Sequence, residues 1–111
     1  MSPEMVVDLQ IEAFNRGDPD GLAATYATDA IITSPMSGDP PFQGRSAICE
    51  HYAGMFSAIP DLHASVVGRL VAGNLVTDHE HLPAVSARAI VTYEVEAGLI
   101  RRAWLFGPFP S

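Results

Sequence analysis

The sequence predicts an α+β fold in which three amphipathic helices come first and a long-stranded antiparallel sheet curls around them. Three observations predict it. Apolar residues recur at helical spacing in segments up to about residue 58, the pattern then changes to strand-like runs joined by short turns, and no helices alternate with these strands as a parallel βαβ fold requires. A chain of 111 residues, 48% apolar and 17% charged, can fill one core and is too apolar to stay disordered, so residues 1–111 are expected to form a single domain.

The first helix is predicted over Pro3–Asn15, where Val7, Ile11 and Phe14 mark an apolar stripe widened by Val6, Leu9 and Ala13, with Glu4, Asp8 and Glu12 opposite. Gln10 stands three residues after Val7 and four before Phe14, which turns its amide along the apolar stripe. Arg16-Gly17 closes this helix. Asp18-Pro19 opens the second with a capping carboxylate and a proline at the first helical position, and it is predicted to run to about Ala27 with Leu22, Ala23 and Tyr26 on one side. Ala30–Ser34 reads as a short strand ended by Pro35, followed by an irregular loop through Gly38, Pro40, Pro41 and Gly44. Ile48, Tyr52, Met55 and Phe56 give the third helix over Arg45–Ala58, stopped at Pro60. Four strands follow at Leu62–Ala72, Leu75–Leu82, Val85–Val95 and Leu99–Phe106, joined at Gly73-Asn74, Pro83-Ala84 and Glu96-Ala97-Gly98 as a meander. Gly107–Ser111 is left as a tail.

Composition narrows the function classes. Thirteen acidic against six basic residues give a net charge of −7, which repels nucleic acid and an anionic bilayer. No stretch approaches the roughly 20 apolar residues of a membrane helix. The single cysteine, Cys49, cannot close an internal disulfide and reads as a small buried side chain, and Met1–Asp8 has no signal-peptide pattern, so a cytoplasmic location is expected. No phosphate-binding glycine loop, nucleophile elbow or dinucleotide fingerprint is present, and no organic cofactor is expected.

Ala13-Phe14-Asn15-Arg16-Gly17-Asp18, Tyr26-Ala27-Thr28-Asp29-Ala30, Gly44-Arg45-Ser46-Ala47-Ile48 and the closing Tyr93–Ile100 segment together resemble the nuclear-transport-factor-2-like superfamily. That group includes ketosteroid isomerase, the SnoaL-type polyketide cyclases and limonene epoxide hydrolase. The match spreads from about residue 5 to 107, and Val76–Glu80 looks most like the small SnoaL-like proteins. The resemblance implies the conical, cystatin-like fold, whose curled sheet leaves a pocket against the helices. It also implies which isomerase roles are altered. The place of the carboxylate base falls on Ser34, that of the oxyanion tyrosine on Gln10, and that of the protonated aspartate near Ala89, whereas two supporting tyrosines match Tyr26 and Tyr52. The arginine of the epoxide hydrolase falls on Glu80. Neither mechanism transfers as it stands.

The resemblance assigns Val76, Asp78, Glu80 and Leu82 to the concave face, with Ala89, Val91 and Tyr93 and then Arg102, Trp104 and Phe106. Two carboxylates in an apolar space each cost several kcal/mol unless paired or protonated, and Arg102 is the expected partner. Asp78 and Glu80 are therefore the expected catalytic acid–base pair, and Gln10, Phe14, Tyr26, Tyr52, Arg102 and Trp104 the expected binding wall. His79 and His81 share the other face without a third ligand, and no metal site is expected. The expected function is binding of a hydrophobic small molecule, with proton-transfer chemistry of isomerase, cyclase or hydrolase type. The alternative is a non-catalytic module with a vestigial pocket that associates through its sheet. A homodimer through the outer sheet face, at Thr77, His79, Ile90, Thr92 and Leu105, is expected in either case.

Overall fold

The computed structural model describes residues 1–111. Helix α1 spans Pro3–Asn15, capped by the Ser2 hydroxyl, which accepts from the Met5 amide at 3.3 Å, and it buries Val6, Val7, Gln10, Ala13 and Phe14. Helix α2 is short, Pro19–Ala23, with Asp18 accepting from the Gly21 amide at 2.9 Å. It stops well before Ala27. Tyr26 instead begins strand β1, Tyr26–Thr33, because Tyr-Ala-Thr ahead of Ala30-Ile31-Ile32 suits a half-buried strand better than another helical turn. A two-residue strand β2, Phe42–Gln43, follows the loop, and helix α3 occupies Arg45–Ala58. Two strands therefore precede the third helix and join the sheet, where the sequence predicts one short strand there and the sheet after all three helices.

Strands β3 (Ser65–Ala72), β4 (Leu75–Leu82), β5 (Ala87–Glu96) and β6 (Leu99–Pro110) form the expected meander. The sheet order is β2-β1-β6-β5-β4-β3, with β1 parallel to β6 and the other pairs antiparallel. Leu62 and Ala64 lie buried ahead of β3 and outside it. Asn15 at the end of α1 holds the Ala64 backbone, donating to its carbonyl at 3.0 Å and accepting from its amide at 2.8 Å. The β4–β5 connection is longer than a two-residue hairpin, since Pro83–Val85 forms a 3₁₀ turn and Ser86 takes φ 50°. The β5–β6 turn does have the two-residue form. Ala97 and Gly98 both have positive φ, 53° and 77°, as the right-handed twist of a tight hairpin requires.

Residues 107–110, read from sequence as tail, continue β6 and pair with Ala87 and Arg88. Gly107 is required there. Its φ of 122° and a Cβ position only 3.1 Å from the Arg88 carbonyl exclude a side chain.

A bulge in β6 decides what reaches the concave side. Val95 pairs with Ile100, yet Glu94 pairs with Arg102, so β6 carries one extra residue at this point. Ile100 faces inward, and beyond the bulge Ala103 is the next buried residue. Arg102, Trp104 and Phe106 therefore take the outer face, and Leu105, expected outside, comes in.

Candidate functional site

The helices and the concave sheet enclose a cavity of about 400 Å³, within the usual range for small-molecule sites. Eighteen of its 27 lining residues are hydrophobic. Gln10 and Phe14 reach it from α1, Tyr26 from β1, Tyr52 from α3, Glu80 from β4 and Tyr93 from β5. Ser34 and Ala89 line it as well.

The acidic pair on β4 divides. Both residues face the interior, as strand alternation demands, and Asp78 is fully buried while Glu80 is 7% exposed. Asp78 does not line the cavity. It lies opposite Arg69 in the β3–β4 ladder, and the guanidinium grips both its oxygens, Nε to Oδ1 at 2.7 Å and Nη2 to Oδ2 at 3.0 Å. The remaining arm of Arg69 reaches Asp8 of α1 at 2.8 Å. These contacts hold the guanidinium firmly charged.

Arg102 is not that partner. The bulge leaves its side chain 57% exposed and 3.9 Å from Glu94, and Trp104 likewise lies outside the cavity. Arg69 was the residue missed. The two-residue turn Gly73-Asn74 places residue 69 directly across from residue 78, and that arithmetic was available from the sequence.

Glu80 has no such clamp. One oxygen, Oε2, accepts from the Tyr93 hydroxyl at 3.3 Å, and the same hydroxyl stands 3.2 Å from Gln10 Oε1. Burial, then the charge of Asp78, pushes the Glu80 carboxyl up to about 7, against the opposing pull of Tyr93 and Arg69. Its other oxygen makes no hydrogen bond to the protein, yet no buried side-chain polar atom is left both occluded and unpaired, so this oxygen opens onto the cavity. The hydroxyls of Tyr26 and Tyr52 likewise have no protein partner and open there. Burial above all keeps all three phenols protonated, with pKa values raised above that of free tyrosine, and the Glu80 charge adds to it, after Tyr52 in the case of Tyr26.

Asp39 and His51 also line the cavity, and the remaining titratable residues sit elsewhere. His79 lies on the outer face 3.5 Å from Arg88. Cys49 is only partly buried and its thiol donates to Asp20 at 3.3 Å, which raises the thiol pKa and makes it a poor nucleophile. No helix is long and apolar enough to cross a membrane.

The family model for the SnoaL-like domain matches residues 7–103. The chain belongs to the SnoaL-like domain family. Solved structures with the same fold include an uncharacterised cystatin-fold protein from Novosphingobium aromaticivorans, at 20% identity over 95% of this chain and 97% of that one, TM-score 0.83. IdmH, a putative polyketide cyclase from Streptomyces antibioticus, matches at 21% identity over 95% and 91% of the two chains, TM-score 0.79. A hypothetical protein with a ketosteroid isomerase-like fold from Catenulispora acidiphila, in complex with trimethylamine, matches at 18% identity over 98% and 88%, TM-score 0.79. At these identities the likeness carries the fold, and the chemistry of this SnoaL-like protein rests on its own side chains.

Proposed function

We propose that this SnoaL-like protein binds a small, mainly hydrophobic molecule in the cavity and moves a proton on it, with Glu80 as general acid–base. One observation carries the reading: a carboxyl more than nine-tenths buried, titrating near neutral pH, turns a free oxygen into an apolar cavity. A base of that pKa can take a proton from carbon beside a carbonyl and return it elsewhere. Tyr26 and Tyr52, protonated and unpartnered, are placed to donate to the oxygen on which charge develops. Tyr93 with Gln10 fixes the Glu80 carboxyl, while Asp78, held by Arg69, acts as a positioning residue through its charge.

The open cavity supports this over a collapsed, vestigial pocket. Steroid isomerisation by the ketosteroid isomerase route is disfavoured by Ser34, Gln10 and Ala89, which line the cavity and supply neither that enzyme's base nor its oxyanion donors. The proposal includes a homodimer through the outer sheet face, where Trp104, Thr92, Thr77 and Leu70 form one cross-strand row and Leu70 is 77% exposed. The free Cys49 fits a reducing, cytoplasmic setting.

The test is hydrogen–deuterium exchange at the α-carbon of cyclic enones and β-dicarbonyl compounds in deuterated buffer, followed by NMR. Exchange well above the buffer rate, lost in Glu80→Gln and retained in Cys49→Ser, is the expected result. Exchange that survives Glu80→Gln overturns the assignment.

A further inference from the structure

We propose that the compound taken up by the cavity is an organic cation, a small amine with apolar substituents whose ammonium group lies against Glu80 and whose carbon skeleton rests on Phe14, Tyr52 and Tyr93. The inference rests on Glu80 being the cavity's ionisable centre, and it adds the charge of the compound that Glu80 meets.

The argument follows every positive charge of the chain. There is no lysine and there are six arginines. Arg16 pairs with Asp18, Arg69 with Asp8 and Asp78, and Arg101 with Glu96, while Arg102 leans toward Glu94. Arg45 donates to the Tyr26 carbonyl at 2.6 and 3.0 Å, and Arg88 stands beside His79. None of the six lines the cavity. Two carboxylates do, Glu80 in its depth and Asp39 on the exposed loop.

An ionised carboxylate in apolar surroundings is costly without a cation. Asp78 has its cation built in and Glu80 has none, so a ligand cation supplies the contact that the fold omits. An anionic ligand would meet only like charge. The walls suit a cation as well. Phe14 meets Tyr52 edge-on at 6.1 Å, Tyr52 meets His51 at 5.1 Å, and His51 lies against Phe42 at 4.1 Å, tilted by 33°, giving a continuous run of aromatic rings along the cavity wall, a lining of the kind that attracts an ammonium group. Burial lowers the His51 pKa, which keeps that ring neutral near pH 7 and free of competing charge. The net charge of −7 steers cations toward the protein.

Affinity should follow the ionisation of Glu80. The charged and titratable groups around it are Asp78 on its own strand, Arg69 on β3, Tyr93 on β5, Tyr26 on β1 and Tyr52 on α3, with His51 next to Tyr52 on α3 and Asp39 on the loop at the cavity's edge. Of these, His51 is the only imidazole, and burial lowers its pKa. With the Glu80 carboxyl near 7, its ionised fraction rises about tenfold from pH 6 to pH 8.

The test compares phenyltrimethylammonium, permanently charged, with its uncharged carbon isostere tert-butylbenzene, by NMR titration of the full-length protein. At pH 8 the cation should bind at least tenfold tighter than the isostere, and its affinity should fall about tenfold on going to pH 6. Glu80→Gln, isosteric and checked for folding by circular dichroism, should remove both the preference and the pH dependence. Equal or tighter binding of tert-butylbenzene to the wild type overturns the inference, whatever the variant does, and leaves proton transfer on an uncharged compound standing. Binding of neither overturns it too. A pH dependence that survives Glu80→Gln traces to His51 and also overturns it. Absence of α-carbon exchange above the buffer rate in the wild type, with cation preference intact, would overturn the proton-transfer reading instead.

Discussion

Arg69 holds both carboxylate oxygens of Asp78, at 2.7 and 3.0 Å, and this one pairing leaves Glu80, two residues along the same strand face, without a cation. The two acids are alike in sequence and opposite in consequence. Asp78 becomes half of a buried ion pair, and Glu80 becomes a group whose ionisation depends on its surroundings.

Removing Arg69 should therefore be far more damaging than removing Arg102. Arg69→Met leaves a fully buried carboxylate uncompensated and should cost about 3–5 kcal/mol near neutral pH. Arg102→Met should cost no more than about 0.5 kcal/mol, the range of exposed pairs. Adding Asp78→Asn to Arg69→Met should recover part of the loss. A double-mutant cycle on urea unfolding checks this, and a coupling below about 0.5 kcal/mol between Arg69 and Asp78 would show that the pair is not buried.

Stability should fall as pH rises through the Glu80 titration. The carboxyl moves from 4.5 to about 7 on folding, so between these values the folded state holds the proton more tightly than the unfolded one. The contribution is fully present below about pH 4.5 and is lost as pH passes 7. Its size is about 3 kcal/mol, from 1.36 kcal/mol per pH unit. Urea unfolding at pH 5 and pH 8 should show this slope in the wild type and a flatter one in Glu80→Gln. An unchanged slope in the variant would place the titrating group elsewhere.

Tyr93→Phe removes the hydroxyl that donates to Glu80. Because that hydrogen bond favours the ionised form, the Glu80 midpoint should move above 7 in the variant. Carboxyl ¹³C NMR reads the midpoint directly, and a downward shift would mean that the Tyr93 proton points to Gln10. The stability cost should be about 0.5–1.5 kcal/mol, that of one buried hydrogen bond.

What could be read from the sequence followed period and turn length. Helices α1 and α3 were legible because their apolar spacing is regular and Arg16-Gly17 and Pro60 stop them. The inward facing of Asp78, Glu80, Ala89, Val91 and Tyr93 came from the parity that the resemblance implies, and it holds along both strands because β4 and β5 pair without a register shift from Leu75 to Glu94. Arg102 and Trp104 were misplaced because alternation was carried across a bulge, and nothing in Ile100-Arg101-Arg102-Ala103 announces the extra residue. Arg69 was overlooked for a different reason. Only one face of β3 packs inward, most of its residues are exposed, and a lone arginine there looks like solvent-facing charge until the Gly73-Asn74 turn is used to set the register.

The outer sheet face should make the protein a dimer, and the bulge that misplaced Trp104 now strengthens that expectation. With Arg102 and Trp104 outside, the row Trp104–Thr92–Thr77–Leu70 crosses four strands, and the next row pairs Phe106 with Ile90 and His79. A surface that sets Trp104, Leu70, Phe106 and Ile90 around a threonine pair, with the leucine 77% exposed, is one that a monomer gains by covering. A symmetric pair would bring each row against its own copy, and the isologous contact closes without forming fibres. Sedimentation at micromolar concentration should give about 24 kDa, twice the 11.9 kDa of one chain. Leu70→Asp with Trp104→Glu should return it to one chain, because each carboxylate would then face its partner's apolar row and lose its water. Both changes lie on the far side of the sheet from the cavity, so ligand binding measured on that monomer should persist. A wild type that sediments as one chain would exclude this face as the interface.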